Sequence, residues 1–97
     1  MNELEDFKDS IRYIIGRIWE NALLAKEDFD DAKTEEEKKY HAGRLEAYWE
    51  VFDTLGNEIE IQEIDPDEID FHYNLNEISR ATPKKGNPVD SRVADAV

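Results

Sequence analysis

Two long stretches of helical apolar spacing, divided by one short polar turn, set what this chain can become. Thr34 is followed three residues later by Glu37, the pattern in which the two side chains cap a helix start reciprocally. Upstream, Leu4, Phe7, Ile11, Ile14, Ile15, Ile18, Trp19, Ala22, Leu23 and Ala25 recur mostly in steps of three and four, the mark of one buried helical face. Downstream, His41, Leu45, Tyr48, Phe52, Leu55 and Ile59 alternate steps of four and three, with Trp49 and Val51 beside that seam. The first helix is predicted over residues 3 to about 31, with Asn2 as a cap and Glu3, Glu5 and Asp6 in the first turn, where the helix dipole favours acids. Residues 26 to 37, KEDFDDAKTEEE, form the turn region, and the second helix is predicted from Glu35 to at least Leu55. So short a connection makes consecutive helices antiparallel neighbours. Gly16 within the first pattern costs about 1 kcal/mol relative to Ala and would permit close approach of a partner helix.

A two-helix hairpin leaves much of these apolar faces uncovered, because Ile14–Ile15 and Ile18–Trp19 widen the first face beyond a narrow seam. Either the C-terminal segment or a second copy of the chain must cover them. A second copy gives a four-helix bundle, and a homodimer is expected, with Leu45, Tyr48, Trp49, Phe52 and Leu55 as the core or dimer seam. Gly56 leaves two readings open. As a helix cap, it would let residues 58–64 pair with 69–75 as a β-hairpin across Asp65-Pro66-Asp67-Glu68. Ile69, Phe71, Tyr73 and Leu75 do alternate with Asp70, His72 and Asn74, although Ile64 breaks the period of the other strand. Alternatively the helix passes through Gly56 and ends near Gln62. The expected fold is thus mainly α: an antiparallel helical hairpin, with or without a short C-terminal β-hairpin, in a dimeric bundle. Residues 1–79 make one acidic domain. From Ala81 the chain gains two prolines and a glycine and loses aromatics, Leu and Ile, so residues 80–97 read as a flexible tail.

Ninety-seven residues suffice for one small domain. With 39% apolar and 38% charged residues, its core must use large side chains economically. A net charge of −13 repels nucleic acid and anionic membrane and attracts basic protein surfaces, so no direct nucleic-acid binding is expected. The absence of cysteine removes disulfides, thiol catalysis and cysteine-ligated zinc. MNELEDF carries no leader pattern, and no apolar run approaches the roughly 20 residues of a membrane span, so a soluble cytoplasmic protein is expected. Catalytic patterns are missing too. His41 and His72 fall in different elements, Ser10, Ser79 and Ser91 lie in no nucleophile elbow, and there is no glycine-rich phosphate loop. The acidic run from Asp65 to His72 fails the calcium-loop pattern, since Ile69, Asp70 and Asn76 stand where an oxygen ligand, a glycine and a glutamate are needed. The chain is therefore expected to be non-enzymatic, without metal or cofactor.

What remains is the distribution of charge. A solvated face that merely keeps the protein soluble is one reading; against it, between Arg44 and Arg80 there are eleven acids and no Lys or Arg, whereas such a face normally interleaves both signs. Glu46, Glu50 and Asp53 are spaced to share a helix face, and a continuing helix would add Glu58 and Glu60, five carboxylates over about 21 Å. That is one charge per roughly 5 Å, against about 1.7 Å along duplex DNA and about 3.4 Å along one strand, so a lone helix is a thin imitation of a nucleic-acid backbone. Glu63, Asp65, Asp67, Glu68 and Asp70 extend the acidic surface, and two copies in a dimer would close the gap further.

The segment GRLEAYWEVFDTL, followed by IQEIDPDEIDF, resembles short open reading frames of phages and mobile elements. In size and charge the chain is similar to small acidic phage proteins that imitate DNA to block host defence proteins, the anti-CRISPR and anti-restriction inhibitors among them. That resemblance implies an inhibitor whose partner is a basic surface of a DNA-binding or nuclease protein. It supplies no functional residues of its own. The alternative expectation is a structural or adaptor dimer acting through its aromatic seam.

Overall fold

Helix α1 spans Glu3–Asp31 and helix α2 spans Glu35–Ile61 in the computed structural model, which describes residues 3–82; Asn2 lies outside that range. Thr34 caps α2 from an extended conformation, its hydroxyl accepting the Glu37 backbone N–H at 3.1 Å. The Glu37 carboxylate reaches back one residue further than the reciprocal pattern requires, to the N–H of Lys33 at 2.9 Å. The helices pack antiparallel, with Trp19 edge-on to Phe52 at 5.0 Å between centroids and Arg44 paired to Asp28 at 2.8 Å.

Helix α2 passes through Gly56 and stops five residues later. The stop is a Schellman motif: Glu63 takes up a left-handed φ of 57°, its N–H bonds to Glu60 O, and the N–H of Ile64 bonds to Ile59 O. A β-hairpin of residues 58–64 with 69–75 therefore does not form, and no strand occurs among the described residues. Residues 58–61 are helical. They are followed by a 3-10 turn at Pro66–Ile69 and a second at Leu75–Ile78, opened by Asp65 and Asn74 side chains that accept N–H bonds two residues on. The two-residue alternation is real but has a different cause: an extended segment lying on helices buries every second side chain without pairing to another strand. Phe71, Tyr73 and Leu75 face in, and His72 and Asn74 face out.

Residues 62–82 thus form a strap that returns along the hairpin, parallel to α1. Arg12 donates to Glu68 O at 2.8 Å, Tyr73 lies 4.9 Å from the Trp19 ring, and Lys26 donates to Thr82 O at 2.6 Å. On α2 the order is reversed, with Phe71 beside Gly56 and Arg80 paired to Glu46 at 3.2 Å. The core lies between the three pieces and holds Ile15, Trp19, Ala22, Ala25, Leu45, Phe52 and Ile78. The fully buried Ala22 and Ala25 leave room for it, and the strap's Ile78 plugs it. The C-terminal segment therefore covers one side of the hairpin. Of the sequence predicted as tail, Arg80 to Thr82 belong to the strap, and residues 83–97 lie outside the described range. No helix among the described residues is long and apolar enough to cross a membrane.

Candidate functional site

The antiparallel packing gathers acids at the open end of the hairpin. There the first turns of α1 lie beside the last turn of α2 and the Pro66–Ile69 turn, tied by Lys8 to Glu68 at 3.4 Å and by Arg12 to Glu68 O. Of the ten carboxylates predicted to bind a partner, seven stand here, all exposed: Glu58, Glu60, Glu63, Asp65, Asp67, Glu68 and Asp70. They are joined by Glu3, Glu5 and Asp6, which sequence reasoning read only as acids suited to a helix start, and by Asp9, which it did not single out. Residues 3–12 and 58–70 together hold eleven acids and two bases, Lys8 and Arg12. Both bases are engaged. Arg12 also pairs with Asp9, and that hydrogen bond, with the fields of Asp9, Glu5 and Asp70, holds its guanidinium pKa above the usual value.

Local physics favours the acids at the start of α1 but not those at the end of α2. The last turn of α2 carries Glu58 and Glu60 and no base, so acids sit at the negative end of the helix dipole. Each unfavourable placement there costs on the order of 0.3–1 kcal/mol. Such breaches of a local rule concentrate at functional sites. Among the acids lies a shallow groove floored by Ile59, Ile64 and Phe71 and rimmed by Glu60, Glu63 and Asp65. Its chemistry suits a Lys or Arg side chain, the aliphatic stem on the floor and the charged head at the rim. At the outer edge, His72 Nε2 lies 2.8 Å from Asp67 and 4.0 Å from Asp70.

The other three predicted carboxylates stand apart. Glu46, Glu50 and Asp53 do form a ridge on α2, but Glu46 is paired with Arg80 and Asp53 is half-buried. Glu60 continues the ridge. Glu58 does not, since five residues at about 100° each carry it about 140° around the helix from Asp53. The row of five carboxylates is therefore a row of four. The seam residues are mostly spent inside the chain: Leu45 and Phe52 are buried, and Phe52 is enclosed by Trp19, Phe71 and Tyr73. Tyr48 and Leu55 pack against this core, and Trp49 is partly exposed beside Ile78 and Arg80. His41 is half-buried, its Nδ1 2.8 Å from Arg44. Among the described residues no cluster of three or more His, Asp or Glu has metal-binding geometry.

Fold and surface together define a strapped helical hairpin with one acidic pole. The chain matches no protein-family model, no curated protein and no solved structure.

Proposed function

We propose that the protein is a non-enzymatic acidic inhibitor, acting in the cytoplasm, that occupies a basic surface of a DNA-binding or nuclease protein in place of nucleic acid. The observation that carries this is the acidic pole itself: eleven carboxylates from two distant parts of the chain, Glu58 and Glu60 among them placed against the dipole of α2, with two bases already engaged. The groove floored by Ile64 and Phe71 would add apolar contact for the stems of partner Lys and Arg side chains. Glu60, Glu63 and Asp65 rim that groove, Asp67 and Asp70 lie at its outer edge, and Glu46, with its own partner Arg80, is peripheral.

A partner captured from cell extract at low salt should elute as salt is raised, and DNA should compete for it. Reversing Glu60, Glu63, Asp65 and Asp67 to Lys should abolish capture, while Glu46→Lys should leave it nearly unchanged. Retention of the partner by the fourfold variant would refute the proposal.

A further inference from the structure

Among the described residues, the strap covers one side of the hairpin and none covers the other. On that open side α1 presents Phe7, Ile11, Ile14 and Ile18, in steps of four, three and four, with Phe7 and Ile14 exposed at 64% and 52%. Helix α2 presents Arg44, Tyr48, Val51, Leu55 and Glu58, in steps of four, three, four and three. This is a second heptad-type seam, distinct from the Leu45–Phe52–Ile59 seam that packs on α1. Val51 is 42% exposed at its centre, and Ala47, Thr54 and Ile61 flank it on the outer side, with Glu50 at the far rim. The charges stand at its two ends: Arg44 and Glu58 each lie seven residues, about 10 Å, from Val51.

We propose that this face binds a second copy of the chain, with the two α2 helices antiparallel and crossing at Val51. A twofold axis there sets Arg44 of each copy opposite Glu58 of the other, and Tyr48 near Leu55, with no charge between them. A parallel arrangement would oppose Glu58 to Glu58 and Arg44 to Arg44. Charge pattern along the seam therefore selects the antiparallel pair, as charges flanking apolar seams do in coiled coils. Pairing this way removes the exposed faces of Phe7, Ile14 and Val51 from water and completes a four-helix arrangement with short loops. Asp28 already pairs with Arg44 within each chain at 2.8 Å, so the arginine would be shared between two carboxylates, as five N–H donors allow.

Sedimentation or light scattering on the full chain should give about twice the monomer mass of 11.3 kDa. Val51→Glu, which sets two carboxylates on the axis, should return the mass to that of the monomer with the helical circular dichroism unchanged. Val51→Cys, in a chain with no cysteine of its own, should form a disulfide-linked dimer under mild oxidation. Glu58→Lys should weaken association several-fold, because the new lysine meets Arg44 of the other copy. A chain monomeric at every concentration would overturn the proposal and leave the face to a different protein. A dimer that withstands Val51→Glu, fails to crosslink through Val51→Cys, or is indifferent to Glu58→Lys would overturn it equally.

Discussion

Lys26 shows how much a single residue depends on chain far away from it. It is a buried charge, and its Nζ is shared between the Asp30 carboxylate at 3.1 Å and the carbonyl of Thr82 at 2.6 Å, with the Phe29 ring 5.7 Å away. Asp30 is nearly as enclosed, its side chain 11% exposed. Removing the ammonium strands a carboxylate and a carbonyl together, so Lys26→Met should cost about 3 kcal/mol in urea unfolding. Adding Asp30→Leu should recover most of the loss, since an apolar pair in such a place is often as stable as the ionic one. Nothing in KEDFDDAK distinguishes this lysine from its solvated neighbours; it is buried only because Thr82 arrives from 56 residues later. Tyr73 is another such residue. Burial first, and the field of Asp70 second, raise its phenol above the usual 10.0. A group whose folded pKa is raised contributes stability that is complete below the unfolded value and disappears as pH climbs through the folded one. The strap should therefore hold up to about pH 10 and loosen beyond it. In a phenolate absorbance titration, Tyr73→Phe should remove a step that lies above the usual tyrosine range.

At the level of elements, both helices and three of their four ends were legible, and the end of α2 stood between two readings, Gly56 and Gln62, of which the second holds. Apolar spacing and the Thr34–Glu37 pair place α1, the turn and the start of α2, because each signal is local and lies within one turn of the feature it specifies. The end of α2 is written differently. Gly56 offers the familiar stop signal but sits inside the helix, while the residue that takes the left-handed stop is Glu63, which carries no such signal. Both positions are therefore locally mismatched, and both mismatches are testable. A Cβ at Gly56 would meet Phe71 at 3.7 Å, an ordinary contact, so Gly56→Ala should stabilise by about 0.5–1 kcal/mol through helix propensity. Glu63→Gly relieves a left-handed conformation and should gain up to about 1 kcal/mol. A true C-cap or hairpin turn at Gly56 would give the opposite sign for the first change, so thermal unfolding of that variant reports directly on where the helix ends. The strap was legible only as an alternation. Alternation identifies a segment with one buried side, and whether a strand or a pair of helices does the burying is decided by packing partners that lie outside the segment.

For the whole molecule the governing fact is that charge is polarised along the hairpin. The acidic run of residues 58–70 was plain in the sequence, but its union with Glu3, Glu5, Asp6 and Asp9 follows from antiparallel topology, which brings chain segments some 50 residues apart to one end. Antiparallel pairing of two copies about Val51 would put the two poles at opposite ends of the assembly. The dimer would then present two separate sites and take two target molecules, where the sequence suggested one merged acidic face. Polarity also sets the response to salt. Crowded like charges oppose folding, and added ions screen exposed groups far more than the enclosed Lys26–Asp30 pair. Raising sodium chloride from about 20 mM to about 300 mM shortens the Debye length from roughly 20 Å to below 8 Å, within the reach of one pole. The folded protein should gain on the order of 1 kcal/mol, seen as a rise of about 4–8 °C in unfolding temperature for a domain of this size. The complex with a basic partner should weaken over the same range, because there the screened interactions are attractive. Opposite signs in the two titrations are the signature of a pole that is costly to the isolated fold and favourable in the complex. A complex that tightened with salt would instead place the contact on the apolar faces, where screening has little to act on.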